Sequence, residues 1–359
     1  MKPVLNFTPG PSQLYFTAED HMRKAFRDGI PSLSHRSKTF ESIYKETVEG
    51  LKELIGIPEH FTLVFTSSAT EVWERIIQNL VENTSHHFVN GAFSKRFYEI
   101  ALQLNRNSSK HEVQEGQAFA FSDALPVTEL IALTHNETST GVSLPMPFIN
   151  SIKEQKPGVL VAVDAVSSLP YPEFDFSKID TLFFSVQKGF GLPAGLGVWI
   201  VNNRCLQKAT SMLANGISIG SYHNLPTLHA HGLKNQTPET PNVLGIYLLG
   251  KVIQDMLRRG IATIRRETDY KAAILYQALE QHPVLKPFVM DKTIQSKTVI
   301  VADCGEFTGQ LSDYLQSKGL FPGEGYGLFK KQHLRFANFP AHSKEQFELL
   351  VDSIEAFKP

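Results

Sequence analysis

The chain carries an acid and an amine at the ends of two apolar runs. Asp164 closes Val159-Leu160-Val161-Ala162-Val163, and Lys188 follows Thr181-Leu182-Phe183-Phe184 within Ser185-Val186-Gln187-Lys188-Gly189-Phe190-Gly191. Short, continuously apolar runs read as strands buried on both faces, and a third run, Gly197-Val198-Trp199-Ile200-Val201, comes next. Ligands of open α/β sheets sit in the crevice beyond the strand ends, so Asp164 and Lys188 are predicted to face one crevice. Taken singly, a lysine after a strand is usually a solvated surface group and an aspartate there a cap or turn residue. Together, beside glycines that let backbone approach a ligand closely, they fit pyridoxal phosphate. That cofactor needs an amine for its aldehyde carbon and a carboxylate for its pyridinium nitrogen. Burial lowers a lysine's pKa, which suits Lys188 to form a Schiff base with the aldehyde and then to carry a proton.

Two other segments are placed to help. Ser67-Ser68-Ala69-Thr70-Glu71 follows an apolar run, Phe61 to Phe65, and opens a helix. Hydroxyls and free N–H groups at a helix N-terminus attract anions, so Ser68, Ala69 and Thr70 are assigned to the cofactor phosphate. An ordinary N-cap is the commoner use of such residues, and a cap can do both jobs. His135-Asn136-Glu137-Thr138-Ser139-Thr140-Gly141 follows the run Leu130 to Leu133, on the same predicted sheet edge. There Thr138 is placed to donate to the cofactor's phenolic oxygen; otherwise the segment reads as a polar turn. The clustered His223, His229 and His231 follow no standard ligand spacing and read as loop histidines, so no metal is expected. No GxxxxGK[ST] segment is present, so a triphosphate loop is unsupported.

The elements that must hold these groups alternate. Strand-like runs at Phe61–Phe65, His87–Val89, Leu130–Leu133, Val159–Val163, Leu182–Phe184 and Val198–Val201 are interleaved with helical stretches. Ile43, Tyr44, Thr47, Val48, Leu51, Leu54 and Ile55 mark one helix face, and Trp73, Ile76, Ile77, Leu80 and Val81 another, with Trp73 and Trp199 read as core residues. The alternation predicts an α/β fold with a mostly parallel sheet covered on both faces. Thr17-Ala18-Glu19-Asp20 reads as a capping-box variant opening a helix. A long helical region from about Asn242 to His282, broken near Gly260, leads to a smaller α+β unit. The expected division is an irregular arm at 1–15, a large domain at 16–245 and a small domain at 246–359.

With 359 residues, 42% hydrophobic and 20% charged, the composition is that of a globular protein. A formal net charge of −1 gives no general attraction to nucleic acid or anionic lipid. The two cysteines, Cys205 and Cys304, form no framework, and no apolar run is long enough to span a bilayer. With no signal-peptide core at the start, a cytoplasmic protein is expected.

These residues resemble the class V aminotransferases, and the likeness extends over nearly the whole chain. Thr8-Pro9-Gly10-Pro11 is similar to the family's N-terminal Gly-Pro segment, and Ser34-His35-Arg36-Ser37-Lys38-Thr39-Phe40 to the SHRSKEF segment of its phosphoserine branch. Asn136-Glu137-Thr138 resembles the NET motif, Gln187-Lys188 the cofactor-lysine dipeptide, and Thr237-Pro238-Glu239-Thr240 the TPPT segment. The resemblance implies pyridoxal-phosphate fold type I, with a mostly parallel seven-stranded sheet between helices and a smaller α+β C-terminal domain. It also implies a homodimer with shared sites, in which Gln236 and Thr237 reach the neighbouring subunit's cofactor phosphate. Phe93, in Asn90-Gly91-Ala92-Phe93, stands where the family stacks a tryptophan on the pyridine ring; it can stack too, with less area. Arg335 is expected to clamp the substrate α-carboxylate through its paired donors. His35 and Arg36 match positions that bind a distal phosphate.

The implied reaction is ping-pong transamination between small amino and oxo acids. Phosphoserine with 2-oxoglutarate, in serine biosynthesis, is the favoured pair, and alanine or serine with glyoxylate or pyruvate the alternative. Leu328 and Phe329 stand where the phosphoserine branch carries a second His-Arg pair, with Lys330 and Lys331 beside them. The segment between Lys188 and Pro193 resembles the alanine–glyoxylate branch instead. A desulfurase or lyase on this scaffold would want a cysteine on a mobile loop. A non-catalytic binding or scaffold protein is the reading of another class, since fold alone does not prove activity.

Overall fold

The structure is a computed structural model and describes residues 4–120 and 125–358. The first three residues of the expected N-terminal arm lie outside the described residues.

A seven-stranded sheet forms the centre, in the order 62–66, 197–201, 181–185, 160–164, 130–134, 85–89, 109–112. Strand Gly197–Val201 runs antiparallel to both its neighbours, and the other pairings are parallel. The interior strands are buried at every residue, because helices cover both faces and each side chain meets apolar neighbours whichever way it points. One face packs on Lys38–Ile55 and Val243–Arg259, and the other on Ala69–Leu80, Ala92–Gln103 and Asn203–Ala214. Helix ends are closed locally. Ser37 accepts from the Phe40 amide, Gly56 turns the same helix off at φ 73°, and Asn242 accepts from the Gly245 amide. Such caps satisfy amides and carbonyls that the helix leaves open.

A second sheet of five strands has the order 5–7, 320–324, 333–337, 299–303, 286–287. Helices Ile261–Gln281, Thr308–Ser317 and Lys344–Glu355 cover it. The long helical region breaks where expected, at Gly260 with φ 83°. Helix Val243–Arg259 packs in the core of the first sheet, and the expected 245/246 boundary falls inside it.

Three expectations need correction. The N-terminal arm is not wholly irregular: Leu5–Phe7 is a strand, parallel to residues 320–322. Thr17 stands at the start of helix Ala18–Arg27 but makes no side-chain cap; its hydroxyl donates to Asp255 instead, at 2.5 Å. His229 and His231 are on a helix, Leu225–Gly232, rather than in a loop.

The turn after strand Thr181–Ser185 is closely packed from below. A Cβ built on Gly189 would stand 1.9 Å from the Leu169 carbonyl oxygen, so backbone would have to move. Gly189→Ala should therefore lower stability by about 1–3 kcal/mol or more, read from urea unfolding of the purified protein. An unchanged midpoint would show that this approach is not constraining.

Candidate active site

Strand Leu160–Asp164 lies beside Thr181–Ser185 with Asp164 opposite Phe183, so the first strand's end and the turn after the second meet at one edge. Asp164 and Lys188 line the same cavity of about 230 Å³, with Ser68, Ala69, Thr70, Phe93, Thr138, Gln187 and Arg335. Thus nine of the residues singled out in the sequence converge. A larger cleft of about 590 Å³ beside Phe119, Phe148 and Phe288 contains none of them.

Asp164 is 3% exposed. Its Oδ2 accepts from Trp73 Nε1 and its Oδ1 from the Val166 amide, both at 2.9 Å. Each oxygen keeps a lone pair, so the carboxylate is held in orientation yet still able to accept. Burial is the dominant influence and pushes its pKa up to about 6, against the two donors and the Lys188 charge. Lys188, 7% exposed, donates from Nζ to Thr138 Oγ1 at 3.1 Å, and Nζ stands 5.2 Å from the Phe93 ring centroid. Burial lowers this amine to about 8, opposed by the attraction of Asp164 and helped by Arg335. About one lysine in ten is then neutral at pH 7, against fewer than one in a thousand for a solvated one.

Thr138 ties two of these side chains together. Its hydroxyl meets Lys188, and its carbonyl accepts from Arg335 Nη1 at 3.2 Å. Arg335 Nε donates to the Glu324 carbonyl at 2.7 Å, and the guanidinium stands 5.4 Å from the Tyr326 ring. Nη2 has no hydrogen-bond partner among the described residues. Burial lowers the guanidinium to about 10, which leaves it charged at neutral pH.

The helix start at Ser68 is only partly open. Ser68 Oγ accepts from the Glu71 amide and so is the N-cap, while the Ala69 amide donates to Ser185 Oγ at 2.8 Å. Thr70 keeps both its amide and its hydroxyl without partners among the described residues, as an anion cradle requires. Asn136 Oδ1, in the cavity wall, is buried with no partner among the described residues, a second polar vacancy for a ligand.

Several functional neighbours were missed or underread. Trp73 is a core residue by periodicity, but its indole N–H also holds Asp164; a buried indole needs such a partner. Glu137 is fully buried, and its carboxylate accepts from the Phe93 and Ser94 amides, Ser94 Oγ, the Ser139 amide and Ser139 Oγ. It thereby fixes the helix start bearing Phe93 against the strand end bearing Thr138. Gly10 also lines the cavity: a Cβ there would stand 2.8 Å from Lys188 Cε, and its φ is 143°. No local pattern points from residue 10 to residue 188.

His35, Arg36, Gln236 and Thr237 are not among the residues lining the cavity. Arg36 and the 236–238 segment instead bind each other: Arg36 Nη1 donates to Gln236 Oε1 and to the Thr237 carbonyl, each at 2.9 Å.

Asp164 sets a pH dependence. Its folded pKa, about 6, lies above the ordinary 3.8, so the folded chain binds this proton more tightly than the unfolded one. The resulting stabilisation is complete below the unfolded value and is lost as pH rises through about 6. In cofactor-free protein, Asp164→Asn should therefore gain up to about 3 kcal/mol relative to the parent between pH 3 and 8. Unfolding curves at several pH values measure this, and parallel profiles would refute the assigned shift.

Residues 4–319 match the family described as aminotransferase class-V. The chain is 48% identical in sequence to a phosphoserine aminotransferase of known structure from Cytophaga hutchinsonii, with a TM-score of 0.97 over 99% of each chain. It is 27% identical to the phosphoserine aminotransferase of a Nocardioides species, over 97% of this chain and 94% of that one. An alanine–glyoxylate aminotransferase from Nostoc shares the fold, with a TM-score of 0.79 at 20% identity over 99% of this chain and 95% of that one. With its buried acid, amine and arginine around one cavity, the chain belongs to the class V aminotransferases, pyridoxal-phosphate-dependent enzymes of fold type I that act on small amino and oxo acids.

Proposed function

We propose that the chain transfers the amino group of phosphoserine to 2-oxoglutarate in serine biosynthesis, as a cytoplasmic homodimer. The observation that carries a transaminase site is the placing of Lys188, Asp164 and Arg335 around one cavity; the 48% identical relative supports the substrate. When bound, pyridoxal phosphate supplies an aldehyde that accepts an amino group and a ring that withdraws electrons from the adjoining carbon. The residues suit it. Asp164, its oxygens kept in place by Trp73 and Val166, would hold the ring nitrogen protonated. Phe93 offers a ring face, Thr138 a hydroxyl, and Ser68 and Thr70 the phosphate cradle.

Lys188 Nζ is the group that takes the α-proton from the amino donor and returns it. Its lowered pKa makes a neutral amine available, and Thr138 Oγ1 fixes its direction. Arg335 receives the α-carboxylate on its open Nη2 edge, which holds the Cα–H bond beside the amine. The buried Cys205 and Cys304 are pushed well above the usual thiol range by burial, Cys304 to about 12, which suits neither to a desulfurase role.

The placing of Arg36, Gln236 and Thr237 supports the reading of shared sites. They form one cluster outside the cavity of their own chain, as residues that serve the neighbouring subunit's site would. His35 goes with them as the distal-phosphate contact. One observation favours the alanine- or serine–glyoxylate reading: the 325–332 turn brings Tyr326 to the cavity rather than a cation. Of the lysines beyond it, Lys330 pairs with Glu324 at 3.1 Å.

Purified enzyme should show a cofactor absorbance band that borohydride fixes to the protein, and Lys188→Ala should lose that fixation and about 10²–10⁴-fold or more in turnover. Fixation at a different lysine would refute the assignment. Capture of pyridoxal phosphate by cofactor-free protein should quicken about tenfold between pH 7 and 9 as the Lys188 ammonium loses its proton, and then level off. Half-reactions with phosphoserine, alanine and serine rank the donors; conversion of alanine but not phosphoserine would replace the favoured substrate with the alternative.

A further inference from the structure

His223 is buried, 3% exposed, in a turn where its φ is 50°. It stands between two carboxylates: Nδ1 is 2.6 Å from Glu71 Oε1 and Nε2 is 3.0 Å from Glu239 Oε2. Tyr222 stacks on its ring at 3.9 Å, and Arg75 Nε lies 3.6 Å from the same Glu71 oxygen. Glu71 is hydrogen-bonded to the ring, whereas Glu239 is at ion-pair distance but not aligned for a hydrogen bond. The two carboxylates raise the ring's pKa to about 9 against the effect of burial and so favour the imidazolium.

The two carboxylates belong to functional segments. Glu71 is in the first turn of the cradle helix, where its Oε2 accepts from the Ser67 amide and hydroxyl at 2.8 and 2.7 Å. It thus shapes the cradle, but it also puts a negative charge beside the place assigned to a phosphate. Glu239 follows Gln236 and Thr237. We infer that His223 is a positioning residue for cofactor phosphate, which together with Arg75 offsets the Glu71 charge and ties the cradle turn to the 236–240 segment. This rests on the cofactor reading above and adds a residue to it.

The test uses cofactor-free enzyme and two ligands that form no bond to Lys188, pyridoxamine 5′-phosphate and pyridoxamine. Binding is read from Trp73 fluorescence, because Trp73 lines the cavity. His223→Gln should weaken the phosphorylated ligand about tenfold and leave the unphosphorylated one unchanged. Adding Glu71→Gln should restore most of the loss, since the charge that Arg75 alone offsets only in part is then gone. In the parent, affinity for the phosphorylated ligand should fall as pH rises through about 9. Glu239→Gln, which removes one partner, should move that fall to lower pH. Equal weakening of both ligands, or no rescue by Glu71→Gln, would overturn the inference and make His223 a structural residue only. If His223→Gln does not fold, the pH shift in Glu239→Gln decides, and an unmoved profile overturns it. Failure of the parent to bind either ligand would instead refute the cofactor reading itself.

Discussion

Everything in this molecule depends on keeping a carboxylate and an amine out of water in one cavity without letting them neutralise each other's purpose. Buried alone, Asp164 would take up a proton and Lys188 would lose one. Both shifts are present, to about 6 and about 8, and both are held in check by the other group's charge. The donors from Trp73 and Val166 keep the acid ionisable, and the Thr138 hydroxyl keeps the amine directed. The site is costly to build, and the cost is met by a sheet buried on both faces.

The sheet is also why the site could be read so far from sequence. Strands covered on both sides must be continuously apolar, so the runs ending at Asp164 and before Lys188 were visible, and the crevice followed from their ends. What was missed is polar or distant. Strand Ser109–Glu112 sits at the exposed sheet edge, where nothing demands apolar residues. Leu5–Phe7 is too short to show a period and pairs with residues near the other end of the chain. Trp73 shows its face through spacing, but spacing does not say what an indole N–H will meet.

The same limit applies to polar pairs. Arg36 with Gln236, Thr17 with Asp255, and His223 with Glu71 are each separated by more than a hundred residues of chain. A histidine cluster in sequence suggested nothing specific, because the carboxylates that give His223 its role are brought to it only by folding. Substrate recognition falls in this class. Arg335, the proposed carboxylate clamp, lies in a recognisable strand, whereas a distal group would be met by loop side chains such as Tyr326, which lines this cavity.

The first strand has a consequence for assembly. Leu5–Phe7 lies along 320–322, and the Asn6 carbonyl accepts from His342. Gly10, a few residues on, closes the wall against Lys188. During synthesis the 5–7 segment therefore waits unpaired until residues 320–342 emerge. Pairings so far apart in sequence are slow to form, so this wall is completed late. A nascent chain can build its central sheet before it owns this wall, and possession of the wall reports that residues 320–342 have been made and have folded back.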